Sequence, residues 1–263
     1  MSPSYLEELK YNSNGMEGLL QHEQHKSLGV LNGIDNQVWD PKTDKYIAVP
    51  WSESFSDFKM ANKRVIGHRF KLDLNLPLVT FIGRLVGEKG ADLLPDLINR
   101  VLSSGIRVAI AVLGTGQQNI HHALQHLSHR FPGRFDVALE YNEGLAHQLY
   151  AGADFLLMPS RVEPCGLNQM YAMRYGTLPI VRSVGGLKDT VPDVGEPDGS
   201  GTGIRFDHFT LDDAHFAIYR AVELYNNQEV FENVREKITG IDFSWERSAS
   251  IYQQIYEEML LLN

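Results

Sequence analysis

A carboxylate and a row of backbone donors follow an apolar segment in the middle of the chain. Residues 154–158 have the length and composition of a buried parallel strand, and Glu163 lies in the loop beyond it. Cys165, Gly166 and Leu167 then open a segment of helical spacing, and a helix start offers free N–H groups to an anion or to hydroxyls. Because the Glu163 carboxylate would repel a phosphate, we expect it to accept hydrogen bonds from a sugar. A solvated loop glutamate would give the same sequence.

Two cations lie five residues apart on an earlier loop. Arg84 and Lys89 stand between Gly83 and Gly90, after another apolar run. An arginine grips phosphate oxygens as a fork and a lysine as a point charge. Since hydrogen bonds to charged groups contribute about 1.5–3 kcal/mol each, the pair could supply much of the affinity for a diphosphate. Two solvated loop residues without a ligand would give the same sequence.

Two further loops carry weaker signals for a nucleotide. Gly114, Thr115 and Gly116 form only half of a dinucleotide-binding fingerprint, because Asn119 stands where the third glycine is required. Tyr141 follows another predicted strand, where an aromatic ring could stack on a base with about 1–3 kcal/mol. A tyrosine in this position is more often simply half-buried, so both interpretations stay open.

The signals for a metal or a reactive thiol are weak. Four histidines at positions 121, 122, 126 and 129 share one predicted helix with spacings found in metal sites. Neither a His-Glu-x-x-His signature nor an Asp-x-Asp pair accompanies them, so we predict no metal. Cys165 is the only cysteine, which excludes an internal disulfide. Without a Cys–His signature, we interpret it as a backbone donor at the helix start.

The composition is that of an ordinary globular protein, with 43% of the 263 residues apolar and 22% charged. A formal net charge of −9 argues against a nucleic-acid surface, which needs clustered Lys and Arg. No segment approaches the roughly 18 consecutive apolar residues of a membrane-spanning helix. We therefore predict neither a nucleic acid nor a membrane as a partner.

The candidate residues must be positioned by a regular alternation of elements. The predicted strands cover residues 78–82, 108–113, 135–139, 154–158, 178–181 and 204–206. Helices are predicted at 57–70, 91–102, 117–131, 143–151, 167–175, 211–225, 228–238 and 245–261. This pattern predicts an α/β fold: a Rossmann-like, mostly parallel sheet with helices on both faces and extra C-terminal helices. Ligands bind at the carboxyl ends of such strands, where the candidates lie. Upstream we predict a strand at 28–31, an Asn-Gly turn at 32–35 and a surface loop at 36–51.

The motifs around Glu163 resemble those of a known family. They comprise residues 159–167, Tyr171-Ala172, Arg174-Tyr175-Gly176, Gly185-Gly186-Leu187 and, upstream, Asn32-Gly33-Ile34-Asp35. Together they are similar to the bacterial glycogen synthases and plant starch synthases, which are retaining glucosyltransferases of the two-domain GT-B architecture. The resemblance covers essentially the whole chain and matches it to the C-terminal, donor-binding half. The family's N-terminal Lys-x-Gly-Gly-Leu loop is missing, and the acceptor glucan would bind largely in the missing half.

The resemblance implies an activity and the residues that serve it. Glucose would pass, with retention, from ADP-glucose or UDP-glucose to the 4-hydroxyl of an α-1,4-glucan, without a cofactor. Arg84, Lys89 and Glu163 would be catalytic, the two cations neutralising the departing diphosphate and Glu163 holding the sugar. The donor-binding residues would be Gly83, Gly114, Thr115, Gly116, Tyr141, Cys165, Gly166, Leu167 and Asn168. The chain alone would be inactive, and its location would be the bacterial cytoplasm or a plant plastid stroma.

The resemblance also suggests a division of the chain. Residues 1–27 would be an inter-domain linker and residues 28–240 the Rossmann-like nucleotide-sugar-binding domain. Residues 241–263 would form a C-terminal helix that packs toward the missing N-terminal domain and exposes an apolar face here. The chain departs from the family pattern at Gln117, Glu140, Val162 and Asn168.

Three alternatives remain open. A non-catalytic nucleotide-sugar-binding module would carry the same binding residues. A glycan phosphorylase shares the GT-B architecture but uses pyridoxal phosphate, whose yellow chromophore would reveal it. A nicotinamide-dependent dehydrogenase is disfavoured by the broken glycine fingerprint.

Overall fold

The structure, a computed structural model, describes residues 1–261. Its six strands are β1 (Leu78–Ile82), β2 (Ala109–Leu113), β3 (Phe135–Ala138), β4 (Phe155–Met158), β5 (Leu178–Arg182) and β6 (Ile204–Phe206). The α-helices of this range are α1 (Pro3–Leu9), α2 (Glu17–His22), α3 (Phe55–Arg69), α4 (Leu94–Ser103), α5 (Gln118–Arg130), α6 (Glu143–Gly152), α7 (Asn168–Arg174), α8 (Gly185–Thr190), α9 (Leu211–Asn226), α10 (Gln228–Thr239) and α11 (Trp245–Leu261). None of them is long and apolar enough to cross a bilayer.

The strands form one parallel sheet in the order β3-β2-β1-β4-β5-β6. Chain order reverses between β1 and β4, so the connections diverge there and leave a crevice at the carboxyl ends of these strands. The predicted fold is confirmed, including the helices that follow β6.

Both faces of the sheet are covered. Along β2, Val112 packs into a core with Leu124 of α5, whereas its neighbour Ala111 packs with Ile66 of α3 on the opposite side. Since successive strand residues point to opposite faces, only apolar residues can fill β2. This burial explains why mostly apolar runs identified the inner strands of the sheet correctly.

The predictions for residues 28–35 were wrong. Residues 28–31 form no strand, because Gly29 packs against the backbone of Pro3 and no neighbouring strand offers a ladder. The predicted Asn-Gly turn is replaced by an isolated parallel bridge between Ile34 and Ser244, in which the Ile34 N–H donates to the Phe243 carbonyl at 2.8 Å. The Asn-Gly signal misled because Gly33 serves close packing against the start of α11.

The two ends of the chain are docked differently. At the N-terminus, Ser4 donates from its backbone N–H and hydroxyl to Asp189 of α8, so α1 is fixed on the domain. At the C-terminus, α11 leaves apolar side chains such as Tyr256 and Leu260 exposed, as predicted. The predicted domain boundaries stay predictions, and residues 262 and 263 of the C-terminal segment lie outside the described residues.

Candidate functional site

Two adjoining cavities of about 210 and 290 Å³ open where β1 and β4 end. Their walls share Ile82, Gly83, Arg84 and Asn168, so they form one crevice at the switch point of the sheet. The walls contain most of the predicted site residues: Gly83, Arg84, Lys89, Gly114, Thr115, Tyr141, Glu163, Leu167 and Asn168. Gly116, Cys165 and Gly166 lie outside these walls.

The smaller cavity contains a nearly buried carboxylate beside a cation. Glu163 is only 5% exposed, and its Oε2 lies 2.6 Å from Lys89 Nζ and 3.2 Å from the Ser160 hydroxyl that donates to it. The solvated-loop interpretation of Glu163 is therefore wrong. A carboxylate held in this way can accept hydrogen bonds from ligand hydroxyls, while the lysine can contact an anion beside them.

Arg84 reaches the crevice from a more open position. It lines both cavities, and its Nη2 lies 3.1 Å from Glu88 Oε2. Both side chains of this pair are about two-thirds exposed, at 66% and 69%. Arg84 is thus free to turn toward a ligand, because an exposed ion pair is weak.

The loop that carries Glu163 is clamped between glycines of two other segments. A Cβ on Gly90 would collide with the Pro159 carbonyl, and one on Gly185 or Gly186 would collide with the Glu163 or Cys165 carbonyl. The Gly186 N–H also donates to the Glu163 carbonyl at 2.9 Å. These contacts hold the loop in one conformation before any ligand arrives.

Arg161 holds the same loop and was missed as a structural residue by the sequence reasoning. Both of its terminal nitrogens bind Asp92, at 2.5 and 2.7 Å, and its guanidinium lies 3.7 Å from the Phe209 ring centroid. The hydrogen bonds from Arg161 lower the pKa of the Asp92 carboxyl below its usual value. With its N–H groups bound to Asp92 and one face covered by Phe209, Arg161 braces the loop and is not a further phosphate ligand.

The glycines of the half-fingerprint have a packing role. A Cβ on Gly114 would collide with the Gly83 carbonyl, and one on Gly116 with the Leu85 backbone. The Gly116 N–H donates to His121 Nε2 at 2.9 Å, which accounts for one of the clustered histidines. Close approach of the loops after β1 and β2 explains this motif without a dinucleotide.

The helix after Glu163 begins later than predicted. Its first residue is Asn168, because Gly166 is left-handed at φ +72° and Gln169 folds back to bond the Cys165 and Gly166 carbonyls at 3.1 Å. Cys165 is therefore not at the helix start; it is buried, and its Sγ accepts from the Asn32 N–H at 3.3 Å.

Of the three residues with backbone donors in this segment, Leu167 lines the crevice, whereas Cys165 and Gly166 are buried outside its walls. Across residues 1–261, the N–H groups of Cys165, Gly166 and Leu167 donate to no other group. Asn168 donates from its side chain to the Ile82 carbonyl at 2.8 Å and so ties the start of α7 to the end of β1.

An aromatic wall bounds the larger cavity, and part of it was not foreseen. Trp39 is stacked between Tyr171 and His147, with ring centroids 3.8 Å from each. Tyr141 stands at the rim with 85% of its surface exposed, so the half-buried interpretation is wrong. Residues 36–51, predicted as a surface loop, thus supply a wall of the site.

Asp44 anchors residues 36–51 to the core. Its carboxylate accepts the Tyr175 hydroxyl at 2.5 Å and lies 2.6 Å from His147 Nδ1, all within the core. Although burial raises the pKa of Asp44, the hydrogen bonds from His147 and Tyr175 outweigh it and lower that pKa below its usual value.

Asp44→Ala is expected to lower the free energy of unfolding by about 1–3 kcal/mol, because two buried donors lose their acceptor. Urea denaturation followed by circular dichroism measures this loss. Asp40→Ala on the same segment serves as the control, because Asp40 is only partly buried and its carboxylate accepts a single hydrogen bond, from the Lys42 N–H at 3.0 Å. Equal effects of the two substitutions would contradict the role given to Asp44.

Metal ligation finds no support in the described part of the chain, since no three His, Cys, Asp or Glu side chains within it are grouped to hold an ion. The absence of a metal stays a prediction.

Comparisons with known proteins identify the family of this chain. The family model described as "Glycosyl transferases group 1" matches residues 65–237. The chain is 47% identical to a glycogen synthase of Flavobacterium johnsoniae over 97% of its own length and 54% of the relative's. It is 39% identical to a glycogen synthase of Anoxybacillus flavithermus over 99% of this chain and 54% of that relative.

A solved structure extends the comparison to three dimensions. The catalytic domain of Starch Synthase IV from Arabidopsis thaliana, bound to ADP and acarbose, superposes with a TM-score of 0.89 at 33% identity. The match covers 98% of this chain and 54% of that one. The chain thus spans about half the length of the relatives it matches.

Proposed function

Because the chain belongs to the glycosyl transferases group 1 family, we propose that it is the donor-binding half of a glycogen or starch synthase. In this proposal the complete protein transfers glucose with retention from ADP-glucose to the 4-hydroxyl of an α-1,4-glucan. The observation that carries it is the Lys89–Glu163 pair, 2.6 Å apart at the switch point of the sheet, in a chain similar to glycogen synthases. The starch synthase relative was solved with ADP and acarbose, which supports an adenosine diphosphate product and a glucan acceptor.

The residues divide the work between the two parts of the donor. Lys89 and Arg84 neutralise the charge that develops on the departing diphosphate, which is electrostatic stabilisation of the leaving group. Glu163 accepts hydrogen bonds from hydroxyls of the glucose, and the N–H group of Leu167, which lines the smaller cavity, binds the same end of the donor. Tyr141 and the Trp39–Tyr171 wall bound the larger cavity, which receives the adenosine.

The acceptor site belongs to the half that this chain does not contain. Closure of a second domain over the crevice would exclude water and limit hydrolysis of the donor. The exposed apolar face of α11 is the surface offered to that domain. We therefore expect the chain alone to bind nucleotide and to elongate no glucan; measurable elongation by it would contradict the division into halves.

Calorimetric titration with ADP, UDP and NAD tests the proposal. ADP should bind, and Arg84→Ala should weaken it by about 10- to 100-fold, since hydrogen bonds to charged groups contribute about 1.5–3 kcal/mol. Arg100→Ala is the matched control, because Arg100 also pairs on the surface, with Asp212 at 2.6 Å, but lies away from the crevice. Binding of NAD in preference to ADP, or ADP binding indifferent to Arg84, would overturn the proposal.

A further inference from the structure

Each cation of the crevice is paired with a carboxylate, but the two carboxylates differ. Glu163, the partner of Lys89, lies in the wall of the smaller cavity and is only 7% exposed at its side chain. Glu88, the partner of Arg84, belongs to neither wall and is 69% exposed. Nothing in the proposed donor contacts therefore uses the Glu88 side chain.

The position of Glu88 is fixed by its backbone. It is the central residue of the short 3-10 helix Gly87–Lys89, and its carbonyl accepts from the Arg161 N–H at 2.8 Å. Glu88 thus follows Arg84 by four residues on a turn that is tied to the loop of Glu163. The backbone therefore keeps the Glu88 side chain within reach of Arg84.

A carboxylate and a phosphate make the same demand on a guanidinium. Both offer two oxygens to its fork of N–H groups, so a diphosphate that binds Arg84 must displace Glu88 or share Arg84 with it. Displacement gives up the ion pair, and sharing leaves a negative charge beside the diphosphate. Either arrangement lowers the affinity for a diphosphate.

We infer that Glu88 competes with the donor diphosphate for Arg84 and thereby sets the balance between donor capture and release of the nucleoside diphosphate product. The inference rests on the proposed function, because it assumes that a diphosphate is the ligand of Arg84. When the product leaves, Glu88 returns to Arg84, and the cation is never left unpaired. Glu88 is thus an affinity-determining residue that touches neither the sugar nor the base.

The test is a double-mutant cycle read by calorimetric titration with ADP. Glu88→Gln should tighten ADP binding about 1.5- to 5-fold, the range that corresponds to the 0.2–1 kcal/mol of an exposed ion pair. The gain should shrink as salt is raised. In the Arg84→Ala background, Glu88→Gln should not tighten ADP binding, because the guanidinium for which Glu88 and the diphosphate compete is gone.

Glu196→Gln is the matched control. Glu196 is also a surface partner of an arginine, Arg205 at 3.2 Å, and its replacement changes the net charge equally but far from the crevice. It should leave ADP binding unchanged. Thermal melts of all variants verify that each is folded, and Glu88→Ala provides a second substitution.

The outcomes separate the inference from the function on which it rests. If Arg84→Ala weakens ADP binding but Glu88→Gln leaves it unchanged, the inference is wrong and the proposed function stands. A gain that persists in the Arg84→Ala background, or that Glu196→Gln reproduces, also overturns the inference, since the effect would then be one of general charge. If no variant binds ADP, the proposed function fails and the inference with it.

Discussion

Asp154→Ala is expected to lower the free energy of unfolding by about 3–5 kcal/mol, the range seen when one member of a buried ion pair is removed. The Asp154 carboxylate is almost fully buried at the start of β4 and joins three separate elements. It accepts from Lys63 of α3 at 2.7 Å, from Arg235 of α10 at 2.6 Å and from the Leu78 N–H at 2.8 Å. Without it, the Leu78 N–H loses its side-chain acceptor, and the two largely buried cations keep only weaker partners: Glu232 at 2.9 Å for Arg235 and the Tyr225 hydroxyl at 3.4 Å for Lys63.

The same carboxylate makes stability depend on pH. Burial raises the pKa of Asp154, but the Lys63 and Arg235 cations outweigh burial and lower that pKa below its usual value. The unfolded chain therefore binds the proton at a higher pH than the folded one. This contribution is complete above the unfolded pKa of about 3.9 and is lost as the pH falls through the folded value.

Urea denaturation at neutral pH and at several acidic pH values measures both effects. Asp154→Asn should lose part of the stability at neutral pH and should also flatten the decline in acid. Asp212→Ala is the control, since its pair with Arg100 is exposed and such pairs contribute about 0–1 kcal/mol. A loss for Asp154→Ala no larger than for Asp212→Ala would contradict the role of the network.

The sheet could be predicted from the sequence because its signal is local. The inner strands β1, β2, β4 and β5 are short, mostly apolar runs because they are buried on both faces, whereas the edge strands β3 and β6 accommodate Asp136 and Arg205. Helix capping is equally local: Thr210 and Ser244 each accept from the backbone N–H three residues on, at 3.2 and 3.3 Å. The strand predicted at residues 28–31 was wrong because an apolar run cannot reveal whether a partner strand lies beside it.

Site residues could be predicted from the sequence only where they directly follow a predicted strand. Arg84, Glu163 and Tyr141 each follow a strand, so the topology brings them to one crevice. Trp39 comes from irregular chain, and no periodicity indicates that it would stack between Tyr171 and His147. Residue type is ambiguous at Gly114 and Gly116, because a glycine needed for close backbone packing and one needed for a phosphate look alike in sequence.

Contacts between loops account for the remaining features that the sequence did not predict. The braces of the Glu163 loop join residues far apart in the chain, such as Arg161 with Asp92 and Gly186 with Cys165. Only the folded structure reveals such pairs. In the proposed function they matter because Glu163 can bind a sugar hydroxyl selectively only if its loop is held in place before the sugar binds.

Gly186→Ala should therefore disable the site while also destabilising the fold, by about 3 kcal/mol, the upper end of typical overpacking losses. A Cβ at this position would meet the carbonyl oxygen, carbonyl carbon and Cα of Cys165, none of which is a flexible side-chain end. The backbone of Gly186 is not left-handed, so the substitution acts through collision and not through φ. The displaced segment carries Glu163, whose carbonyl accepts from the Gly186 N–H.

Gly18→Ala provides a control that should raise the free energy of unfolding instead of lowering it. Gly18 lies in α2, and no heavy atom stands within 4 Å of the Cβ it would gain. There the substitution should stabilise by about 0.4–1 kcal/mol, because alanine restricts the unfolded chain. Urea denaturation of both variants distinguishes collision from a general effect of replacing glycine with alanine.

The effect of Gly186→Ala on the site should be larger for a nucleotide sugar than for the nucleotide. Calorimetric titrations with ADP-glucose and ADP compare the two ligands, which share every contact except those of the glucose. If Glu163 holds the glucose, its displacement removes the extra affinity for ADP-glucose, whereas ADP still binds through Arg84. Equal losses for both ligands would mean that the Glu163 loop supports the whole crevice, and an unchanged preference for ADP-glucose would mean that Glu163 does not contact the sugar.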